Sequence, residues 1–292
     1  MEINMANIGK DLISVIVPVY NSASGVFRCL ESVCAQTYSN LEIIVVYKKS
    51  TDDSLKQIKS IQDSRIKIIE QIENTGPGGA RNIGVDNANG QWIGFVEADD
   101  YIAPDFYEKL LNTAISNRCD IAQGQIVQGD WFSTQQSGVC QSYRDKLLRL
   151  KNGASFDKLF RAEFIRKHNI RFMEFVRWED NPFVFKALYY GDIATDCSAK
   201  YFYVPSPWTD EYKVKLKNDI LPVCHEIWSF LKSVRLTKTE EKLAKKAIIR
   251  CVAGSFIDDN EVYSGLMKLF NNPLFLWIMY HKRILKQKKD EK

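Results

Sequence analysis

The first 130 residues alternate between two hydrophobic periods. Ile13 to Val19 (ISVIVPV) is an unbroken, β-branched run, the pattern of a parallel strand buried on both faces. Val26, Leu30, Val33 and Cys34 then fall on one helical stripe, and Glu42 to Tyr47 (EIIVVY) predicts a second strand. Ser50, Thr51 and Asp52 offer N-caps to a helix carrying Leu55, Ile58 and Ile61. Ile66 to Ile69 predicts a third strand, after which TGPGGARNIG breaks the chain and opens another helix. Trp92 to Val96 predicts a fourth, Pro104 starts a helix bearing Phe106, Leu110 and Leu111, and Ile121 to Val127 predicts a fifth.

Strand–helix alternation with short connections predicts an α/β fold, a mostly parallel sheet with helices on both faces. Ligands of such sheets bind beyond the carboxyl ends of the strands, which directs attention to Tyr20–Asn21, Tyr47–Lys49 and Glu97–Asp100. From Asp130 to Arg149 the pattern dissolves into polar loop or hairpin sequence. Ser155 to His168 and Pro182 to Tyr190 read as helices, the second started by Glu179 and Asp180, and from Leu216 onward the pattern is helical. The chain therefore divides at about residues 130 and 215.

The chemistry concentrates where the fourth strand runs out, in GFVEADDYIAPD. Glu97, Asp99 and Asp100 stand within four positions, and crowded carboxylates are tolerated when solvated, when capping a helix or when holding a cation. If the strand continued, Glu97 and Asp99 would share one face while Ala98 turned inward. Two oxygens on one side suit Mg2+ or Mn2+, which accept few protein carboxylates and leave room for phosphate. Turn and cap chemistry ahead of Pro104 accounts for the same residues equally well.

At 292 residues and 45% hydrophobic, the chain is long enough for one large domain with an appendage. A net charge of +4 gives no global reason to expect nucleic acid. The seven cysteines form no CxxC pair and are odd in number, which disfavours zinc and a disulfide framework and fits reduced thiols in a cytosol. The opening MEINMANIGKDLIS lacks the basic start and apolar run of a signal peptide, and no apolar run reaches the ~20 residues of a bilayer span. A cytoplasmic location is expected. Pro18-Val19-Tyr20-Asn21 after the first strand is not GxGxxG, and GGARNIG is not a P-loop.

SVIVPVYN, CLESVCAQTYSNLEIIVV, STDDS, GGARNIG, GQWIGFVEADDYIAPDFYEKL and KLFRAEFIRKHNIRFMEFVRWEDNPFVFKAL together resemble glycosyltransferase family 2, in the family's order, from about Ile13 to Tyr203. The resemblance implies the GT-A fold, a Rossmann-like sheet flanked by helices, and an inverting transferase using a nucleotide-diphosphate sugar. Residues 1–130 would form the nucleotide-sugar-binding half, 131–215 the acceptor-binding and catalytic half, and 216–292 a helical C-terminal region. Pro18, Tyr20 and Asn21 would face base and ribose, and Arg81 the nucleotide or its phosphates. Glu97-Ala98-Asp99 would occupy the DxD position, with Asp99 and Glu97 on Mn2+ or Mg2+. Asp180, in Trp178-Glu179-Asp180, would be the base; as a bare sequence feature it reads more readily as a helix cap. The donor implied is UDP-linked, and the acceptor a hydroxyl of a bacterial surface glycan such as capsule, O-antigen or lipooligosaccharide, free or lipid-linked. Trp178 and Trp208 are candidate sugar-stacking platforms.

Two departures stand out. Where the family has DDGS after the second strand, this chain has Tyr47-Lys48-Lys49-Ser50, so that Tyr47 could stack on a base and Lys48 or Lys49 meet phosphate, without restoring the lost carboxylate. Glu97 replaces the first Asp of DxD, carrying its oxygens about 1.5 Å farther on a softer arm. A degenerate, inactive domain that binds a saccharide or a partner is the rival reading. In the tail, Leu274, Phe275, Trp277 and Ile278 adjoin Lys282, Arg283, Lys286, Lys288 and Lys289, the composition of a basic helix lying peripherally on an anionic inner membrane face. A packed terminal helix with a charged end is the alternative.

Overall fold

The computed structural model of the chain describes residues 11–271 apart from 134–135, 141, 151–152, 206, 208 and 254–258. The basic tail from Asn272 and the candidate platform Trp208 lie outside the described residues. The N-terminal half alternates as expected: β1 (Ile13–Val19), α1 (Val26–Cys34), β2 (Leu41–Lys48), α2 (Ser54–Ser60), β3 (Ile66–Gln71), α3 (Gly76–Asp86) and β4 (Trp92–Phe95). It continues through β5 (Tyr101–Ile102), α4 (Phe106–Ser116), β6 (Ile121–Gln128), β7 (Trp131–Phe132), β8 (Gly138–Cys140) and α5 (Tyr143–Arg149). Then come β9 (Lys158–Arg161), α6 (Ala162–Lys167), α7 (Asp180–Tyr190) and β10 (Ile193–Phe202). The helical region comprises α8 (Asp210–Ser233), α9 (Lys238–Ile248), a π-helical turn (Ile249–Ala253) and α10 (Asn260–Phe270).

The strands form one sheet in the order β3-β2-β1-β4-β9-β6-β10-β5, with β7 beside β6 and β8 beside β10. The long ladders, β3/β2, β2/β1, β1/β4 and β6/β10, are parallel. The antiparallel ones are short, and β9 is wedged between β4 and β6. Successive residues of β1 feed opposite cores: Ile16 packs with α3, α7 and α8, while Val15 and Val17 pack with α1 and α4. Continuous burial along β1 follows from helices covering both faces. Helices α8 to α10 pack onto the Ile16 side, so the C-terminal region shares that core.

Several expectations need correction. The stretch 155–168 read as one helix is a strand followed by a short helix. FDKLF suits either period, and the gap between β4 and β6 decides in favour of a strand, with Leu159 and Phe160 facing opposite cores. The polar stretch after Asp130 carries β7, β8 and α5, the helix capped by Ser142 accepting from the Asp145 N–H. Strand β10 had no clear sequence signal, because Asp196, Ser198 and Lys200 interrupt its apolar pattern. Finally β4 stops at Phe95, so the face-sharing argument for Glu97 and Asp99 does not hold.

Candidate active site

After β4, the Val96 N–H still donates to the Ile16 carbonyl at 3.0 Å, and then the chain turns, the Asp100 N–H donating back to the Glu97 carbonyl at 3.1 Å. Glu97-Ala98-Asp99 is thus a tight turn at the carboxyl edge of the sheet, and its three neighbouring acids have three different fates. Asp100 is fully buried, with one oxygen accepting from the Tyr201 hydroxyl at 2.7 Å and the other from the Val204 N–H at 2.7 Å. Burial, reinforced by the charges of Asp99 and Glu97, pushes its carboxyl up to about 8, against the two hydrogen bonds. Asp100 pins the turn to β10 and faces no open site. Tyr201 completes the brace by accepting the Glu97 N–H at 3.0 Å.

Asp99 is half-buried at the tip of the turn, where its carbonyl accepts from Arg28 Nη2 at 2.6 Å. Helix α1 presses against it: a Cβ on Gly25 would stand 2.6 Å from the Asp99 Cα. Ala98 is buried, as its alternation with the acids suggested, although the cause is the turn.

Glu97 turns toward α3. The Arg81 guanidinium bridges two carboxylates, Nη2 to Glu97 and Nη1 to Glu179. Arg81 is 3% exposed and Glu179 is buried, so this is an interior clamp joining the turn after β4 to the residue before α7. The expected contact of Arg81 with nucleotide phosphates does not fit this geometry, because its fork is occupied by the two acids. Close packing around α3 helps: Gly78 lies where any Cβ would collide with the Met173 carbonyl.

Asp180 opens α7, yet makes no side-chain cap; the N-cap residue is Glu179. Instead one Asp180 oxygen accepts the Ser155 N–H at 3.2 Å and the other is 3.4 Å from Asn181 Nδ2. Burial and the adjacent Glu179 push its carboxyl up to about 7, with Arg81 pulling down and Glu97 pushing up. A carboxyl poised near neutrality suits proton abstraction. Three of the residues linked to Asp180 carry a buried polar atom without a protein partner, Ser155 Oγ, Asn181 Oδ1 and Arg81 Nε, as does Arg177 at its Nε three residues earlier. These leave hydrogen-bonding capacity for a polar guest.

The nucleotide-side candidates sit together at the ends of β1 and β2, where Val19 stands opposite Tyr47. Pro18 is buried in the strand, Tyr20 is 58% exposed, and Asn21 is exposed with a left-handed φ of 47°. Asn21 Oδ1 accepts the Thr51 N–H at 2.9 Å, and Asp52 accepts the N–H groups of Ala23 and Ser54, tying the two strand ends together. Tyr47 is 6% exposed and its hydroxyl accepts the Ser50 N–H at 2.9 Å. Its ring is core packing, which corrects the expectation that it could stack on a base. Lys48 Nζ is directed to the Ile72 carbonyl at 3.0 Å, whereas Lys49 is exposed.

The donor set fits a divalent cation of the Mg2+ or Mn2+ kind: the Asp99 carboxylate at a turn tip, with Glu97 beside it already sharing Arg81. Such ions take one or two protein oxygens and complete their shell with phosphate and water. No cluster of three or more His, Cys, Asp or Glu side chains arranged as a full protein cage occurs among the described residues. Sequence reasoning missed Glu179, Arg28, Ser155 and Tyr201. Only Glu179 carried a signal, an acid directly before the candidate base.

The sequence and the fold have known relatives. Residues 14–175 match the family described as "Glycosyl transferase family 2". The chain is 35% identical over 194 residues to the "Putative glycosyltransferase EpsH" of Bacillus subtilis (strain 168), covering 61% of this chain and 56% of that protein. It is 31% identical over 208 residues to the "Succinoglycan biosynthesis protein ExoO" of Rhizobium meliloti (strain 1021), covering 65% and 60%. It thus spans little more than half the length of these relatives. The crystal structure of S. aureus TarS 1-349 in complex with UDP-GlcNAc superposes with a TM-score of 0.74 at 20% identity, covering 88% of this chain and 79% of that one. An acid turn at the sheet edge, a carboxylate opening the helix opposite and a family match over more than half the sequence converge: the chain belongs to glycosyl transferase family 2.

Proposed function

We propose that the protein transfers a sugar from a nucleotide-diphosphate donor, UDP-linked, to a hydroxyl of a surface polysaccharide, with inversion. The observation that carries this reading is Asp180: a carboxyl raised toward neutrality, aimed by the Ser155 N–H and tied through Glu179 and Arg81 to the acid turn. Its role is to accept the proton of the acceptor hydroxyl as that oxygen attacks the anomeric carbon. Attack opposite the departing diphosphate inverts the centre. Asp99, with Glu97, would hold Mn2+ or Mg2+, which supplies positive charge beside the leaving group. Arg81 keeps Glu97 and Glu179 from repelling one another and fixes the distance between the two halves of the site. A neighbour crystallised with UDP-GlcNAc supports a UDP-sugar, and a relative named for succinoglycan biosynthesis supports a polysaccharide acceptor.

Among the described residues no helix is long and apolar enough to cross a membrane. We assign peripheral contact with an anionic cytoplasmic membrane face to the basic tail, on composition alone. Liposome co-sedimentation with and without residues 273–292 tests it, and equal partitioning refutes it.

The rival, a domain that binds a saccharide without turning over, is favoured by one feature: the Tyr47-Lys48-Lys49 segment holds no acid for the base. A release assay over UDP-, GDP- and CDP-sugars with Mn2+, using Asp180→Asn as control, separates the two. Release that Asp180→Asn leaves untouched discards the base assignment, and no release from any donor leaves the binding module standing.

A further inference from the structure

A second cation, three residues before Asp180, is not used in the chemistry above. Arg177 lies in the segment between α6 and α7, and its guanidinium carbon stands 5.2 Å from the centre of the Tyr212 ring, in the first turn of α8. Its main chain is held: the Arg177 N–H donates to Asp219 Oδ2 at 2.8 Å, and the Phe175 N–H to the Thr75 carbonyl at 2.8 Å. Two residues flanking it, Phe175 and Trp178, take left-handed φ values of 65° and 60°. Non-glycine residues adopt that conformation at a cost, and such strain collects where a side chain must be aimed.

Arg177 precedes Glu179 and Asp180 by two and three residues, and the pair is electrostatically coupled to the acids. The Tyr212 hydroxyl is pushed up chiefly by burial, with Arg177 pulling it down and Glu179, Asp180 and Glu97 pushing it further up. Tyr203, raised by burial and by the charges of Asp100 and Asp99, also senses Tyr212. Phe156, next to the Ser155 that holds Asp180, lies parallel to Tyr203 with centroids 6.4 Å apart. Phe156 and Tyr203 therefore present an aromatic wall beside the residue that holds Asp180. Over the Tyr212 ring the Arg177 guanidinium forms no hydrogen bond or ion pair with the described residues, and its Nε is buried without a partner.

Such a guanidinium is half-prepared. Its face is on a ring, its position is set by the backbone, and its N–H fork remains to be filled. Glu97, Asp99, Glu179 and Asp180 still outnumber Arg81, so an anionic sugar bound beside them needs a further cation. We propose that Arg177 and Tyr212 form an acceptor subsite for a saccharide bearing an anionic group, a carboxylate or a phosphodiester. The sugar ring would lie on the aromatic wall and the anion in the guanidinium fork, which matches either group bidentately. The proposal rests on the glycosyltransferase reading and names the acceptor class for it.

The test measures binding by calorimetry on the full chain, with tetragalacturonate, a glycerol-phosphate tetramer and maltotetraose as probes. At least one anionic probe should bind more tightly than maltotetraose, and which one does identifies the anion. Arg177→Gln should weaken that probe about 10- to 100-fold, the loss of a charge-assisted pair, with Arg177→Lys in between. Tyr212→Ala should weaken anionic and neutral probes alike, and it carries the test should the Gln variant melt early. Unchanged affinity in Arg177→Gln, or maltotetraose binding as well as both anions, overturns the proposal. So does a matching loss of UDP affinity in Arg177→Gln, which would put the guanidinium on the donor phosphates. Failure of the wild type to bind UDP or hydrolyse UDP-GlcNAc would instead sink the glycosyltransferase reading, leaving the probe comparison to report on the subsite.

Discussion

Replacing Arg81 by Met tests the clamp at the centre of the site. Met preserves much of the aliphatic volume and removes the charge, leaving Glu97 and Glu179 facing each other across a dry gap. Breaking a buried ion pair by removing one partner costs about 3–5 kcal/mol, because the remaining carboxylate is stranded. Most of that belongs to Glu179, whose side chain is 7% exposed; Glu97, at 23%, can turn partly toward water and contributes less. For a chain of this size roughly 2–4 °C of melting temperature is lost per kcal/mol, so Arg81→Met should melt about 10 °C below the wild type. Differential scanning calorimetry at pH 7 measures it. Adding Glu179→Gln to Arg81→Met should recover a good part of the loss, since a neutral amide needs no counter-charge, whereas Glu179→Gln alone should itself destabilise. Additivity of the two substitutions, or a melt within 2 °C of the wild type for Arg81→Met, would show that the guanidinium is not neutralising these acids and would remove the link between the acid turn and α7.

Asp180→Asn should lower transfer by about 10²- to 10⁴-fold while UDP affinity, read by calorimetry, stays within twofold; comparable turnover would refute the role. Because the base must be deprotonated and its carboxyl is raised to about 7, kcat should climb as pH rises through neutrality and level off above it, and a rate flat from pH 5.5 to 8.5 would argue against that assignment. Asp100 has its folded value raised to about 8, so its contribution to stability is present at low pH and is lost as pH rises from its unfolded value near 4 toward 8. Asp100→Asn should flatten that decline in urea melts, and parallel curves for the two proteins would contradict it. Gly25→Ala should displace the Asp99 turn and cut transfer at least tenfold with a small change in melting temperature, given a Cβ 2.6 Å from the Asp99 Cα; normal activity would mean the turn tolerates the shift.

Much of this protein was legible in one dimension. The unbroken run of β1, the helical stripe of Val26, Leu30 and Val33, and the breaker TGPGG announced a sheet covered on both faces, because burial on both sides removes the need for polar alternation. The order of motifs marked where that sheet would end in acids. Local pattern could not reveal β9, whose KLFR becomes a strand only because β4 and β6 leave a slot for it, nor β10, whose charges hide its register.

The acids themselves divide along the same line. Their presence at positions 97, 99, 100, 179 and 180 is a property of the sequence, as is the loss of the acidic pair to Tyr47 and Lys48. Their ionisation and availability are not. Arg81 meets Glu179 across 98 residues of chain, Asp100 meets Tyr201 across 101, and Asp180 meets Ser155 across 25. A carboxylate's charge depends on the water it has lost and the donors it has found. Both are set by what the fold brings alongside, so three carboxyl side chains within four consecutive positions end as an ion-pair partner, a turn tip and a neutral brace.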